Sequence, residues 1–314
     1  MRITLTLFTL PLFLFFVTFS SCKKDDSTSA ENSTIAAKVN ANADLSLLES
    51  AIVKANLGNT LSGTGPFTVF APTDQAFEET GISASTINSL SAEQLENILL
   101  YHVITSEIPA ASVPVGPNAK VVTASGDSVF VTKNSYGVFV NGVKVSQADI
   151  DASNGVIHLI AQVLLPPLGN LVEVAQSYDE FSLLVAAVVR ASTGSTNVAQ
   201  ILSSGGIFTV FAPTNQAFID AGFADVSAIN AADPDLLASI LTYHVIPGRI
   251  FSSDLTNGAT PATANGGTVT IELSPSTATV MGAGNAVASN IIGANIMAEN
   301  GVVHVIDKVL LPLD

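Results

Sequence analysis

Residues 67–77 read FTVFAPTDQAF, and residues 208–218 read FTVFAPTNQAF. The two copies differ only at Asp74 against Asn215. Two further stretches return in the same order. LLYHVI at 99–104 reappears as LTYHVI at 241–246, and NGVIHLIAQVLLP at 154–166 reappears as NGVVHVIDKVLLP at 300–312. The offsets are 141, 142 and 146 residues, so the insertions between landmarks are small. The chain is therefore an internal duplication. Its period is far longer than the roughly 20–50 residues of a solenoid repeat, so each copy is a domain with its own core.

Within the first copy, Leu45, Leu48 and Ile52 fall on one face of a helix predicted over 44–56, which Gly58 and the run 63–66 break. The repeated stretch opens as a buried strand over 67–70. Ala71-Pro72 ends it, because proline cannot donate to a ladder, and Thr73 and Asp74 cap a short helix over 75–79. Ser91 and Gln94 form a capping box for a helix whose stripe of Leu95, Ile98 and Leu99 runs into Tyr101-His102. After Pro109 the pattern turns to strands. Residues 129–132 are β-branched and aromatic, and Val138, Val140, Val143 and Val145 flank an Asn141-Gly142 hairpin turn. Asn154-Gly155 makes another turn, and the runs 156–160 and 163–165 end the unit.

The second copy repeats this plan. One longer helix is predicted over 171–190 with Phe181, Leu184, Val185 and Val188 inward. A strand follows at 208–211, then a helix started by Asp233-Pro234 that ends at Tyr243-His244, and a strand over 268–273. Helices in front and strands behind predict an α+β fold. The linker is short enough to bring the two domains into contact.

The three landmarks, present in both halves, resemble the motifs of the fasciclin (FAS1) domain family: FTVFAPT(D/N)xAF, the central Tyr-His pair, and the closing NGV(I/V)H(L/V)I…VLLP. The resemblance covers nearly everything after about residue 35. It implies two tandem domains, 35–167 and 168–314, each a compact β-wedge or sandwich with packed helices. It also implies adhesion rather than catalysis. Asp149-Ile150 resembles the Asp-Ile element that fasciclin adhesion domains turn toward cell-surface receptors, alongside the Tyr-His region. The candidate partner-binding residues are thus Asp149, Ile150, Tyr101, His102, Tyr243, His244, Asn295 and Ile296. The second copy's Asn295-Ile296 lacks the charge, which makes the first domain the better candidate.

Eleven Lys and Arg against 26 Asp and Glu give a net charge of −15. That excludes a nucleic-acid partner, whose binding rests on basic contacts to phosphate, and electrostatic docking on anionic lipid. It favours basic or cation-bridged partners. Residues 1–21 read as an export signal: Arg2, an apolar run over 5–19, then Ser20-Ser21-Cys22. Cys22, the only cysteine, resembles the lipidated residue of a bacterial lipoprotein box, with Phe19 bulkier than the usual leucine. Residues 22–34 are a polar tether. Loss of Arg2 and no acid takes the mature charge from −15 to −16. A lipid anchor in the bacterial envelope, in the outer membrane and exposed at the surface, follows as the expected location.

No catalytic, cofactor or metal motif assembles. The four histidines fall in matched pairs, His102 with His244 and His158 with His304. Zinc wants three or four closely spaced ligands, and no HxxxH or HExxH occurs. We read the histidines as buried groups bonded to backbone or to a capping residue such as Asp74. Asp149, Asp151 and Ser153 are spaced like part of a calcium loop, but Asn154 and Ile160 stand where an EF-hand needs Gly and Glu, so the loop reads as structural. Gly282-Ala-Gly284 lacks the third glycine of a dinucleotide turn, and no GxSxG or P-loop is present. The expectation is a non-catalytic surface protein that binds a matrix protein or polysaccharide. The alternative is an enzyme or accessory subunit of surface polymer breakdown, which would need a deep polar pocket.

Overall fold

The computed structural model describes residues 33–313; the export segment, Cys22 and most of the tether lie outside them. Each repeat lays helices over one curled sheet. In the first, α1 (Ile35–Ala41), α2 (Ser46–Lys54) and α3 (Gly58–Ser62) precede β1 (Phe67–Pro72). Helices α4 (Asp74–Glu79), α5 (Ala84–Ser89) and α6 (Ala92–Tyr101) lead to β2 (Val103–Ile104). Strands β3 (Gly116–Val122), β4 (Ser128–Asn134), β5 (Gly137–Val140), β6 (Val143–Ala152) and β7 (Gly155–Ile160) close the unit. The second repeat runs α7 (Leu171–Gln176), α8 (Ser182–Ala191), α9 (Val198–Ser203), β8 (Phe208–Pro213), α10 (Asn215–Asp220), α11 (Val226–Ala231), α12 (Pro234–Tyr243) and β9 (Val245–Pro247). It ends in β10 (Val269–Leu273), β11 (Ala278–Gly282), β12 (Ser289–Ala298) and β13 (Gly301–Ile306).

The first sheet has the order β2-β1-β7-β6-β5-β4-β3, the second β10-β11-β12-β13-β8-β9. The first long strand of each domain pairs in parallel with its last, Phe67 beside Gly155 and Phe208 beside Gly301. Here the Asn-Gly of the closing motif shows its purpose. A Cβ on Gly155 would lie 1.9 Å from the Phe67 carbonyl oxygen, and one on Gly301 2.2 Å from that of Phe208. Only glycine lets the two strands meet there. The preceding asparagine ties the domain's ends together. Asn154 Oδ1 accepts the Ile35 N–H at 2.9 Å, Asn300 Oδ1 accepts the Leu171 N–H at 2.9 Å, and their amides donate to Leu61 and Leu202 carbonyls.

Each sheet separates two cores, as period-two alternation along β1 requires. Val69 faces the helices with Leu48, Ile52, Leu99 and Ile157, whereas Phe70 faces the interior of the fold-over with Tyr101, Val129, Val140 and Ile160. The second domain repeats both, around Val210 and Phe211.

Two local expectations are corrected. The helix predicted over 171–190 is two helices joined through a 3-10 turn at Asp179–Phe181. Asn215 forces the break: its Oδ1 accepts the Leu183 N–H at 2.9 Å, and its amide donates to Asp179 O and Ser182 Oγ at 3.0 Å each, fixing a new helix start. Val185 is half-buried there rather than inward. Residues 163–165 extend from the sheet without joining it, because the Leu164 N–H is taken by an imidazole, His102 Nε2, at 2.9 Å.

Candidate adhesion face

Asp149 and Asn295 sit at the same bulge of matched strands. The register of β6 against β7 shifts between Gln147 and Ile150, and that of β12 against β13 between Gly293 and Ile296. At the bulge both residues take positive φ, +59° and +65°. Among non-glycine residues only Asp and Asn adopt this region readily, so the backbone itself restricts the position to these types. The supposed calcium loop is accordingly strand: Asp149 and Asp151 both lie within β6.

Each bulge is held from two sides. The Asp149 N–H donates to His158 Nδ1 at 3.1 Å, and His158 Nε2 donates to Ile108 O at 2.9 Å. Asp149 Oδ1 then accepts the Ala110 N–H at 2.8 Å, capping the 3-10 turn Ala110–Ser112. In the second domain the Asn295 N–H faces His304 Nδ1 at 3.4 Å, His304 Nε2 donates to Ile250 O at 2.9 Å, and Asn295 Oδ1 accepts the Ser252 N–H at 2.8 Å. The closing-motif histidines are therefore spacers between bulge and turn. Ile150 and Ile296 are half-buried against the helix-side cores.

The Tyr-His pairs lie deeper. Tyr101 and Tyr243 are 0% and 1% exposed, His102 and His244 2% and 1%, so none offers its side chain to a partner. They hold the fold-over shut. Tyr101 Oη donates to Ser128 O at 3.1 Å and accepts from Asn141 Nδ2 at 2.9 Å; Tyr243 Oη donates to Thr268 O and accepts the Ala283 N–H. Burial pushes the Tyr101 hydroxyl up to about 12, against the pull of the Asn141 hydrogen bond. His102 Nδ1 donates to Ile98 O at 2.8 Å while Nε2 accepts the Leu164 N–H; His244 does the same between Ile240 O and the Leu310 N–H. That arrangement requires neutral rings, and burial lowers both to about 4, as it does His304. The expected capping partner Asp74 is elsewhere: it accepts the Leu47 N–H and Ser46 Oγ–H at the start of α2, the role Asn215 plays for α8.

What separates the two bulges is their cover. Asp149 keeps 45% of its side chain exposed, beside exposed Glu107 and Asp151, with the Lys133 ammonium tied to Ala110 O at 2.9 Å. Asn295 instead meets the first domain: a Cβ on Gly142, in the β5–β6 hairpin, would lie 2.6 Å from its amide. The turn beside Asn295 completes the seam between domains. Arg249, 9% exposed, stacks its guanidinium 4.1 Å from the centre of the Phe130 ring and donates to Glu299 O at 2.9 Å. Phe251 packs on the same ring at 6.1 Å. Asn118 donates to Arg249 O, Thr132 to Asp254 Oδ1 and Asn134 to Ser253 O, at 2.7, 3.0 and 3.0 Å. The first-domain counterparts of Arg249 and Phe251 are Glu107 and Pro109, and the second-domain counterpart of Phe130 is Thr270, so neither outer surface can repeat this joint. Sequence reasoning missed the joint; comparing these mismatched repeat positions would have flagged it.

Among the described residues no group of three or more His, Cys, Asp and Glu is placed to hold a metal, and no helix is long and apolar enough to cross a membrane. The fasciclin domain model matches residues 43–166 and again 179–312. The chain is similar to the transforming growth factor-beta-induced protein ig-h3 of Sus scrofa, 28% identical over 258 residues, which are 80% of this chain and 35% of that protein. Protein sll1483 of Synechocystis is 43% identical over 131 residues, 40% of this chain and 70% of the relative. Human periostin is 30% identical over 233 residues, 73% of this chain and 26% of the relative. The chain thus spans about a third or less of ig-h3 and periostin. A solved FAS1 domain pair from the insect cell adhesion molecule fasciclin I aligns over 87% of this chain and 95% of its own, at 18% identity and a TM-score of 0.41.

Proposed function

The chain belongs to the fasciclin domain family, and we propose that it is a non-catalytic, lipid-anchored protein of the bacterial envelope that binds a protein or polysaccharide through the first-domain face around Asp149 and Ile150. The observation that carries this reading is the contrast between matched bulges: the first keeps its carboxylate in solvent, and the second is closed against the neighbouring domain. The exposed face carries Asp149, Asp151 and Glu107, so it suits a basic or cation-bridged partner. The Tyr-His pairs act beneath it as internal ties.

The test is a binding screen of the soluble chain from residue 30 against matrix proteins and polysaccharides at low and high salt. Retention that salt weakens supports the reading. Retention that survives with Asp149, Asp151 and Glu107 all changed to the corresponding amides would remove this face from it. Anchoring is tested separately: mass spectrometry of the membrane fraction should find acylated Cys22, and a Cys22→Ser protein that remains equally membrane-bound would exclude the anchor.

A further inference from the structure

The helical layer of the second domain encloses an apolar cavity of about 140 Å³ between α7, α8, α9 and the sheet. Its origin can be read by setting the two domains side by side. Ile35 and Leu171 are matched by their bonds to Asn154 and Asn300, and Leu47 and Leu183 by their bonds to Asp74 and Asn215. Both pairs lie 136 residues apart, so α1 and α2 superpose on α7 and α8 in one register. In that register Ala175 stands for Val39 and Val188 for Ile52; on the last strand, Val303 stands for Ile157. The first-domain residues are 1%, 5% and 2% exposed and fill their site. The second domain is four carbons short on the same wall. Phe181, in place of Leu45, adds a ring that packs on Tyr178 at 5.7 Å.

The rim changes in the opposite sense. Val185 replaces Glu49 and Val172 replaces Ala36, so the mouth is more apolar, while the interior has exchanged aliphatic branches on α7, α8 and the last strand for a ring drawn against Tyr178. Val189 at this mouth is 61% exposed, so the cavity opens toward solvent. Its polar lining is confined to Gln176 and His244, and both His244 nitrogens are already bonded, to Ile240 O and the Leu310 N–H. Nothing in the wall asks for a charged or strongly polar ligand. Apolar cavities of about this volume, lined by Leu, Ile and Phe, stay dry and take up benzene or xenon.

We propose that this cavity is a binding site for an uncharged apolar molecule of about one aromatic ring, entering between α7 and α8. The first domain, with Val39, Ile52 and Glu49 in place, is the internal control within the same chain. The site is independent of the adhesion face.

The experiment uses the soluble chain and fluorobenzene as probe, read by ¹⁹F NMR titration and thermal unfolding. Saturable binding at one site is expected, with the melting of the second domain raised by about 3–5 °C at ten times Kd. Ala175→Val with Val188→Ile, which restores the first domain's residues, should abolish both effects. Val185→Glu leaves the volume intact and places the first domain's carboxylate at the rim; it should weaken binding at least tenfold. Absence of saturable binding to the unmodified chain would overturn the proposal. So would binding that survives unchanged in both the filled and the rim variant. Should the filled variant fail to fold, the rim variant alone decides.

Discussion

The bulge at Asp149 and the bulge at Asn295 have the same backbone, the same histidine spacer and the same capped turn, yet one faces solvent and the other a neighbouring domain. The difference does not lie in the motif. It lies a few residues away, where Arg249 and Phe251 replace Glu107 and Pro109 and find Phe130 opposite. Duplication supplied two identical faces, and a handful of substitutions on the surrounding turn committed one of them to holding the pair together. A motif therefore reports the skeleton of a face, whereas its availability is decided by residues outside the motif.

The comparison can be pushed hardest with acid. His244 and His304 have folded-state values of about 4, below the usual 6.5 of an unfolded histidine, as does His102 in the first domain. A base lowered on folding leaves stability intact above the unfolded value and removes it as pH falls from about 6.5 toward 4, because the unfolded chain then binds the extra protons. Between pH 7 and pH 5 each such histidine costs about 2 kcal/mol. The second domain, through His244 and His304, should lose about 4 kcal/mol over that interval. Urea unfolding at pH 7 and pH 5 with a probe in the second domain measures this; a stability that does not fall between them would contradict the buried, neutral state of these two rings.

A smaller effect is expected from removing one ring. His102→Ala or His244→Ala strands a backbone N–H and a helix carbonyl and leaves a void, at a cost of about 1–3 kcal/mol confined to its own domain. Stoichiometric zinc retained on purification and lost in the variant would contradict this structural role.

Arg249→Ala tests the joint. It deletes the stack on Phe130, worth about 1–2 kcal/mol in a desolvated site, and should separate the thermal transitions of the two domains. Its cost is limited because Arg249 Nε and the neighbouring Asn118 Oδ1 are buried without a hydrogen-bond partner among the described residues. Small-angle scattering should show a more extended particle; an unchanged profile would place the coupling elsewhere.

The least change in stability is expected at the exposed bulge. Asp149→Asn keeps an acceptor for the Ala110 N–H and a residue that tolerates positive φ, so stability should shift by less than about 1 kcal/mol. Affinity for a basic partner at low salt should fall, since a charge-assisted bond is roughly twice as strong as a neutral one. Equal affinities would remove this carboxylate from the face. Asn295→Asp, by contrast, should add no binding, because the residue faces Gly142 and its amide donates to Ser252 Oγ at 2.7 Å.

Much of the architecture was legible because local signals and repetition agreed. The capping box at Ser91, the Asn141-Gly142 hairpin, the cap at Asp233 and the strand–cap–helix reading of the repeated stretch all stand in the structure. What escaped were bonds between residues far apart in the chain. Asn154 looks like a turn residue by its neighbour Gly155, but its side chain reaches Ile35, Leu61 and Gly63. The resemblance put the Tyr-His pairs among the partner-binding candidates while the histidines themselves read as buried and backbone-bonded; which groups satisfy Tyr101 and His102, namely Ser128, Asn141 and Leu164, all distant in sequence, could not be read locally. Asp149 and Asn295 were flagged by their own mismatch, but nothing local announces a bulge or what covers it.

The parallel pairing of each domain's first long strand with its last has a consequence for biosynthesis. Phe67 must wait for Gly155, and Phe208 for Gly301, before either central ladder can zip. Such distant pairings carry a loop-closure cost that short-range contacts do not. A nascent chain with only its first hundred residues available holds helices and an unpaired strand, and no closed domain. The topology thus postpones completion of each domain until nearly its whole repeat is available, and an aggregation-prone strand edge stays exposed for that period.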